Sequence, residues 1–116
     1  MLYHTSVGVP NQIRSQVRTT GLVVPVYSQH AQDAANQRSI DLPDLIDYTK
    51  CRPFEIETKR DGTIIKVAYR TSYPADTKRD LVLVIHPANN FVRTIWLNRI
   101  GDDHTSLDAT KYEPAY

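Results

Sequence analysis

From Pro53 to Asn98 the sequence alternates apolar and polar residues with a period of two, the pattern of strands with one buried face. Two pairs of runs follow this pattern: FEIETK with TIIKVAYRT across RDG, and LVLVIH with FVRTIWLN across PANN. Gly62 in the first connection can adopt the positive φ that a tight hairpin turn requires. The pattern therefore predicts two β-hairpins that together form a four-stranded antiparallel sheet.

The half of the chain before these hairpins favours helices. The run SQHAQDAANQRSI is rich in alanine and begins with Ser28 as an N-cap, which predicts a helix near residues 28–38. In DLPDLIDYTK, Pro43 suits a first helical turn and the apolar residues have helical spacing, which predicts a second helix near residues 43–49. PNQIRSQVRTTG can form a short helix, and Pro25 limits LVVPVY to a sheet edge or an unpaired extended segment. The expected fold is α+β, with N-terminal helices packed on one face of the four-stranded antiparallel sheet.

Length and composition indicate one globular domain of 116 residues, since 41% of them are apolar and only 23% are charged. No apolar run approaches the roughly 18 residues that span a membrane. The start, MLYHTSVGVP, has no Lys or Arg ahead of an apolar core, as a signal peptide would. The single cysteine, Cys51, excludes an intrachain disulfide and fits a reducing compartment. We therefore expect a cytoplasmic protein that does not associate with membranes.

Charge and alternation suggest a polar sheet face. The net charge of +1 is weak evidence for nucleic-acid binding, but basic residues are concentrated in the C-terminal half. Strand parity assigns the following residues to the core: Ile65, Val67, Ile95 and Leu97. The same parity places these residues on the opposite face: Lys66, Arg70, Thr94, Trp96 and Asn98. Cations and an aromatic side chain on one face suit RNA, although half-solvated sheets ordinarily carry polar residues outward.

Short motifs give a family resemblance. YSQHAQDAANQRSIDLPDLID, followed by a charged hairpin and then VRTIWLN, resembles small toxin-like proteins of the barnase–EndoU–colicin–RelE superfold. The nearest branch is uncharacterised and carries a His-Ala pair, an Arg-x-Ile motif and a strand threonine, here His30-Ala31, Arg38-Ser39-Ile40 and Thr94. The resemblance covers residues 27–98, which leaves 1–26 as an N-terminal extension and 99–116 as a C-terminal tail. It implies a RelE-like arrangement of helices on a four-stranded antiparallel sheet.

The resemblance also implies a metal-independent endoribonuclease in which the ribose 2′-OH attacks the adjacent phosphate. Such chemistry needs a base for the hydroxyl proton, cations for the phosphorane and an acid for the leaving oxygen. His30 is the expected acid or base, arginines would hold the phosphate with help from Lys66, and Thr94 would position it. The expected catalytic residues are His30, Arg38, Arg70, Thr94 and His104, and the expected RNA-binding residues are Lys66, Trp96 and Asn98.

Two of these assignments have alternatives. His30 and Arg38 are eight residues apart, so they lie about 80° apart around a helix and about 12 Å apart along it; the His30 ring could instead pack against the sheet. His104, in GDDHTSLD, could be the second acid or base, or part of a solubilising turn. A single cysteine and the lack of paired His spacing argue against zinc, and we expect no metal and no cofactor.

Two other functions fit the same sequence. A non-enzymatic protein on this fold could bind and inhibit or adapt a partner protein, which the near-neutral charge and the acidic patch of Asp41, Asp44 and Asp47 favour. The second alternative is a small nucleic-acid-binding module that catalyses no reaction. The expected partners are RNA and, for a toxin-like protein, a cognate antitoxin or a host protein.

Overall fold

The computed structural model describes residues 1–101, which form a six-stranded sheet, a separate two-stranded sheet and two helices. The strands are β1 (Leu2–His4), β2 (Leu22–Val23), β3 (Val26–Tyr27), β4 (Ile46–Asp47), β5 (Arg52–Thr58), β6 (Ile64–Ser72), β7 (Arg79–His86) and β8 (Phe91–Arg99). The helices are α1 (Asn11–Arg14) and α2 (Gln29–Arg38), and single 3₁₀ turns cover Thr5–Val7 and Tyr48–Lys50. No helix among these residues is long and apolar enough to cross a membrane.

The large sheet has the strand order β1-β5-β6-β7-β8-β3, in which only the β3–β8 pair is parallel. The two predicted hairpins, β5–β6 and β7–β8, are confirmed and form its centre. Gly62, between β5 and β6, has φ of 88°, as the turn requires. The two remaining strands come from the N-terminal half: β1 extends the β5 edge and β3 extends the β8 edge.

The predicted fold class is wrong. The sheet has six strands and mixed pairing, whereas the sequence and the resemblance predicted four antiparallel strands under N-terminal helices. The predicted helix at 43–49 is also absent, because Ile46 pairs with Val23 in the two-stranded sheet and a 3₁₀ turn follows. The Tyr48 N–H donates to the Gly21 carbonyl at 2.9 Å, so long-range pairing outweighs local helix propensity here.

Helix α2 agrees with its prediction and lies along β8. Ser28 caps it by accepting a hydrogen bond from the Ala31 N–H at 3.0 Å, and the same hydroxyl donates to the Arg93 carbonyl at 2.6 Å. Ala31 and Ala35 are buried against the core, and their small side chains allow the helix to approach the sheet closely. The helix ends at Ser39, which has the left-handed conformation with φ of 54°.

Both faces of the large sheet contain buried apolar side chains. The main core includes Val67 and Ile95, as predicted, and Leu97 packs partly buried against it. Ile65 was predicted for the core but does not belong to it. Glu57 pairs with Lys66 and Thr58 pairs with Ile64, so Ile65 is the extra residue of a β-bulge. Ile64 packs on the core in its place.

A smaller cluster covers the other face. Phe54, Ala68 and Val82 are buried there, with Val84 and Trp96 packed partly buried against them. The face that the sequence predicted to be open therefore carries an apolar cluster.

Candidate functional site

A groove runs between helix α2 and strand β8 and encloses a cavity of about 800 Å³, which we call the α2–β8 groove. Four of the predicted site residues line it: His30, Arg38, Thr94 and Trp96. Two of them come from the helix and two from the strand, more than fifty positions later in the chain. The structure thus brings half of the eight predicted site residues to one place.

The local backbone explains why these side chains converge. The bond from Ser28 to Arg93 fixes the start of α2 on β8, so the helix runs beside the strand rather than across the sheet. Because Ala31 and Ala35 face the core, the neighbouring helical stripe, with His30 and Ala34, faces the groove. His30 lies in the first turn and Arg38 in the last, so they mark opposite ends of the groove, about 12 Å apart along the helix axis.

The groove carries charges of both signs. Its cations are Arg38, at the end of α2, and Arg79, at the start of β7. Arg79 Nε lies 2.7 Å from Asp76 Oδ2, and this hydrogen bond lowers the pKa of Asp76. The Arg79 side chain is still 47% exposed, so it remains accessible to a ligand. The Asp33 carboxylate also lines the groove and accepts a hydrogen bond from Gln29 Nε2 at 2.9 Å.

Sequence reasoning missed three polar groove residues, Asp33, Gln37 and Arg79. The signal for Gln37 was available, because it lies seven positions after His30 and therefore near the same helical stripe. Arg79 had no such signal. Arg79 begins β7 and pairs with Arg99, the last residue of β8. This pairing brings Arg79 to the end of the groove where Arg38 lies.

Arg70 lies elsewhere. Its side chain was predicted on an open face but is only 3% exposed, with its Nε 3.1 Å from Asp80 Oδ2. Its Nη2 donates to the Arg99 carbonyl at 2.7 Å. Arg70 lines a second cavity, of about 570 Å³, together with His4 and Arg52. A ligand held in the α2–β8 groove would therefore meet Arg38 and Arg79 rather than Arg70.

Two more of the predicted site residues, Lys66 and Asn98, do not line the groove either. Lys66 lies on β6, where its Nζ is 3.5 Å from Glu57 Oε2 on the neighbouring strand. Asn98 is half-buried on β8 and pairs across the ladder with Asp80. His104 lies outside the described residues.

The second cavity contains a serine beside a histidine, which sequence reasoning did not single out. The Ser6 backbone N–H donates to His4 Nδ1 at 3.0 Å, and Ser6 Oγ lies 2.6 Å from the same nitrogen. Because a backbone N–H can only donate, Nδ1 is the acceptor and carries no proton. These bonds cap the 3₁₀ turn Thr5–Val7, so the pair has a structural role at this position.

Clustered metal ligands or an activated thiol would also mark a candidate site. Among residues 1–101, no group of three or more His, Cys, Asp or Glu side chains is placed to hold a metal ion. Burial raises the pKa of the Cys51 thiol, and its Sγ donates to the Asp47 carbonyl at 3.2 Å. A reactive cysteine needs a lowered pKa, so the raised pKa of Cys51 argues against a catalytic thiol.

This gives a first prediction, on alkylation. A raised pKa leaves less thiolate at any given pH, so iodoacetamide should react with native Cys51 more slowly at pH 8 than with the guanidinium-unfolded chain. The midpoint of the rate-against-pH curve for the native protein should lie above about 8.5, the value for a free thiol. Equal native and unfolded rates at pH 8 would contradict the burial of this thiol.

The strongest candidate site is thus an open groove with an imidazole, two guanidinium groups, a hydroxyl and an indole. The guanidinium groups suit an anionic ligand, and the indole suits a ligand with flat rings. The lining residues come from elements far apart in the sequence. Comparisons of the chain with known protein families, with curated proteins and with solved structures find no match in any of the three.

Proposed function

We propose that the α2–β8 groove binds single-stranded RNA and that the protein is a metal-independent endoribonuclease in which His30 takes the ribose 2′-OH proton. The observation that supports this most directly is that His30, Arg38, Thr94 and Trp96 line one cavity. The lining residues run from the first turn of α2, at His30, to its last turn, at Arg38, which suits an extended strand.

Each step of the cleavage can be assigned to a side chain. The 2′ oxygen forms a bond to phosphorus as its proton passes to His30, and imidazole is the group that most often moves protons in enzymes. The bond from phosphorus to the 5′ oxygen then breaks, leaving a 2′,3′-cyclic phosphate and a 5′-hydroxyl. The leaving oxygen takes a proton from an acid, for which His104 stays the predicted group.

The remaining groove residues would stabilise and position the strand. Arg38 and Arg79 lie at the opposite end of the groove from His30, so they would hold a phosphate further along the strand. Thr94 offers a hydroxyl donor, and the partly buried Trp96 offers a ring edge or face for base stacking. Since His30 and Arg38 lie at opposite ends of α2, they would contact one strand at separate positions.

The test is cleavage of a mixed-sequence, single-stranded RNA in the presence of a chelator. We expect His30→Ala to lower the cleavage rate by about 100-fold or more, because it removes the proton acceptor. Arg38→Ala should mainly weaken binding. The matched control is Asn36→Ala, an exposed residue of α2 that does not line the groove, and its rate should equal that of the parent.

The outcomes separate the competing functions. Cleavage by His30→Ala at the parental rate would contradict the catalytic assignment. Binding without cleavage by the parent would reduce the protein to a nucleic-acid-binding module. If neither the parent nor its variants bind RNA, the groove has been assigned to the wrong ligand.

Trp96 gives an independent measurement of binding, because it is the only tryptophan in the chain. Its ring lines the groove, so a short single-stranded RNA should quench its fluorescence. The apparent affinity should fall as salt rises, because binding releases counterions from the phosphates. Unchanged emission, under conditions where a separate assay shows saturation with RNA, would place the bound strand away from Trp96.

A further inference from the structure

At the Arg38 end of the α2–β8 groove lie two further cavities, of about 660 Å³ and about 420 Å³, which share lining residues with it. Arg79 lines all three cavities, and Arg38 lines the groove and the larger of the two others. Lys78 lines both further cavities, and Arg99 lines the smaller one. We call these four exposed residues the Arg79–Arg99 patch. Its cations follow one another along a path rather than meeting at one point.

Two arginines of the patch lie directly opposite each other, because Arg79 pairs with Arg99 in the β7–β8 ladder. The Ile100 N–H donates to the Lys78 carbonyl at 3.1 Å, which makes Lys78 and Ile100 a hydrogen-bonded pair. Such pairs alternate with non-hydrogen-bonded ones, so the two arginines form a pair of the second kind. Cβ atoms in these pairs are about 4.5–5.5 Å apart, and like charges there destabilise a sheet. An anion between the two guanidinium groups would reduce this repulsion.

The carboxylates of the protein balance little of this positive charge. Asp76 is the acidic residue that lines the two further cavities, and its Oδ2 accepts a hydrogen bond from Arg79 Nε at 2.7 Å. Among residues 1–101, no carboxylate lies within ion-pair distance of Arg38, Lys78 or Arg99. Four cations against one carboxylate leave a net charge of +3 around these two cavities.

The backbone under the patch is fixed by hydrogen bonds. In the turn before β7, the Asp76 N–H donates to the Tyr73 carbonyl at 3.1 Å and the Arg79 N–H donates to the Asp76 carbonyl at 3.2 Å. At the end of β8, the Arg99 carbonyl accepts a hydrogen bond from Nη2 of the buried Arg70 at 2.7 Å. Because Asp76 binds Arg79 through Nε, the two Nη nitrogens remain as donors for a phosphate.

We propose that the Arg79–Arg99 patch binds the backbone phosphates of an RNA strand that continues past the Arg38 end of the groove. This inference rests on the proposed function, and it defines the substrate as a single strand long enough to reach from His30 to Arg99. A small anion would need donors that converge on one point, whereas these cations are spread along linked cavities, as phosphates are along a strand. Phosphate contacts fix the position of a nucleic acid without reading its sequence. The protein should therefore select its RNA by length at this end.

The experiment measures binding of two fluorescein-labelled 2′-O-methyl RNAs, of about 4 and about 12 nucleotides, to the full chain; both lengths are within the range of single-strand binding sites. The methyl group prevents cleavage, since no 2′-OH is present to attack. Fluorescence anisotropy should show that the longer strand binds about tenfold or more tightly, because only this strand spans the groove and the patch. The shorter strand should quench Trp96, which places it in the groove.

Replacing two cations of the patch should affect the longer strand alone. Lys78→Gln combined with Arg99→Gln should weaken its binding about tenfold and leave the shorter strand within about twofold of the parent. The slope of log affinity against log salt should become shallower by about 1.4, since each phosphate contact on a single strand contributes about 0.7. The matched control is Lys59→Gln with Arg60→Gln, which removes the same charge from the exposed β5–β6 turn and should leave both affinities unchanged.

The outcomes separate this proposal from the proposed function. Equal affinity of the parent for both strands, or an unchanged affinity of the patch variant for the longer one, would overturn the patch without bearing on cleavage in the groove. Patch-dependent binding by a parent that cleaves no unmodified RNA would support the patch and contradict the catalytic role of His30. Displacement of the longer strand by polyglutamate of equal charge would show that the patch binds acidic peptides, and the proposal would be wrong. A parent that binds neither strand would overturn both proposals.

Discussion

Replacing Asp80 by leucine should lower the free energy of unfolding by about 3 kcal/mol, because it leaves a buried guanidinium without its carboxylate. Arg70 is 3% exposed and its Nε lies 3.1 Å from Asp80 Oδ2, in the middle of the large sheet. Its Nη2 also donates to the neutral Arg99 carbonyl at 2.7 Å, whereas Asp80 supplies a negative charge beside the guanidinium. The measurement is urea unfolding followed by circular dichroism.

Two further variants show whether the loss comes from removing the Asp80 carboxylate beside the buried Arg70 guanidinium. Arg70→Met combined with Asp80→Leu should regain much of the stability, since a buried ion pair is often replaceable by apolar residues of similar size. Asp76→Leu is the matched control. It breaks an exposed arginine–aspartate pair, that of Arg79 with Asp76, whose side chains are 47% and 32% exposed. Because exposed ion pairs contribute little to stability, the urea midpoint should be nearly unchanged. Equal losses from Asp80→Leu and Asp76→Leu would contradict the argument from burial.

Ile95→Ala should also destabilise the fold strongly, by about 2–5 kcal/mol. Ile95 is fully buried in β8 and belongs to the same core as Ala31 and Ala35 of α2. Those helical side chains are already small, so the missing atoms leave a cavity that they cannot fill. The measurement is thermal unfolding, which gives the decrease in the free energy of unfolding.

The control for this substitution is Ile100→Ala, because Ile100 follows the same strand but is 59% exposed. Its free energy of unfolding should change by no more than about 0.5 kcal/mol. A similar loss from both variants would mean that α2 is not packed on β8 through this part of the core.

The parts of the fold that the sequence predicted are those with local signals. The two hairpins are confirmed because period-two alternation on either side of a turn needs only neighbouring residues. Helix α2 was predicted for the same reason, from Ser28 and the alanines that follow it.

The parts that failed depend on distant partners. LVVPVY was predicted as an edge or unpaired extended segment, but no local pattern showed that Val26 and Tyr27 would pair with Phe91 and Val92 to form β3. Residues 43–49 have helical spacing, yet pairing with β2 and the burial of Tyr48 decide their conformation. The bulge at Ile65 shifts the strand parity, so a strict count of alternation chose the wrong isoleucine for the core.

The candidate site divides in the same way. Strand parity put Thr94 and Trp96 on one face, whereas His30 and Arg38 were chosen from the family resemblance, and they share one helix. That the two pairs face each other is a consequence of the contact between α2 and β8. Parity placed Arg70 on the face opposite the main core, but it could not show that Asp80 on the next strand would bury and neutralise its charge.

The pairing of β3 with β8 has a consequence for synthesis on the ribosome. The two strands are separated by more than sixty residues, and β1 likewise waits for β5, so neither N-terminal strand has a partner when it emerges. Contacts between such distant segments form slowly, because a long loop must be closed first. We expect the nascent N-terminal half to remain unfolded, and thus exposed to proteases and chaperones, until β8 has left the exit tunnel. Ordering of α2 would then be among the last steps, so the groove would be complete only after the C-terminal strand is released.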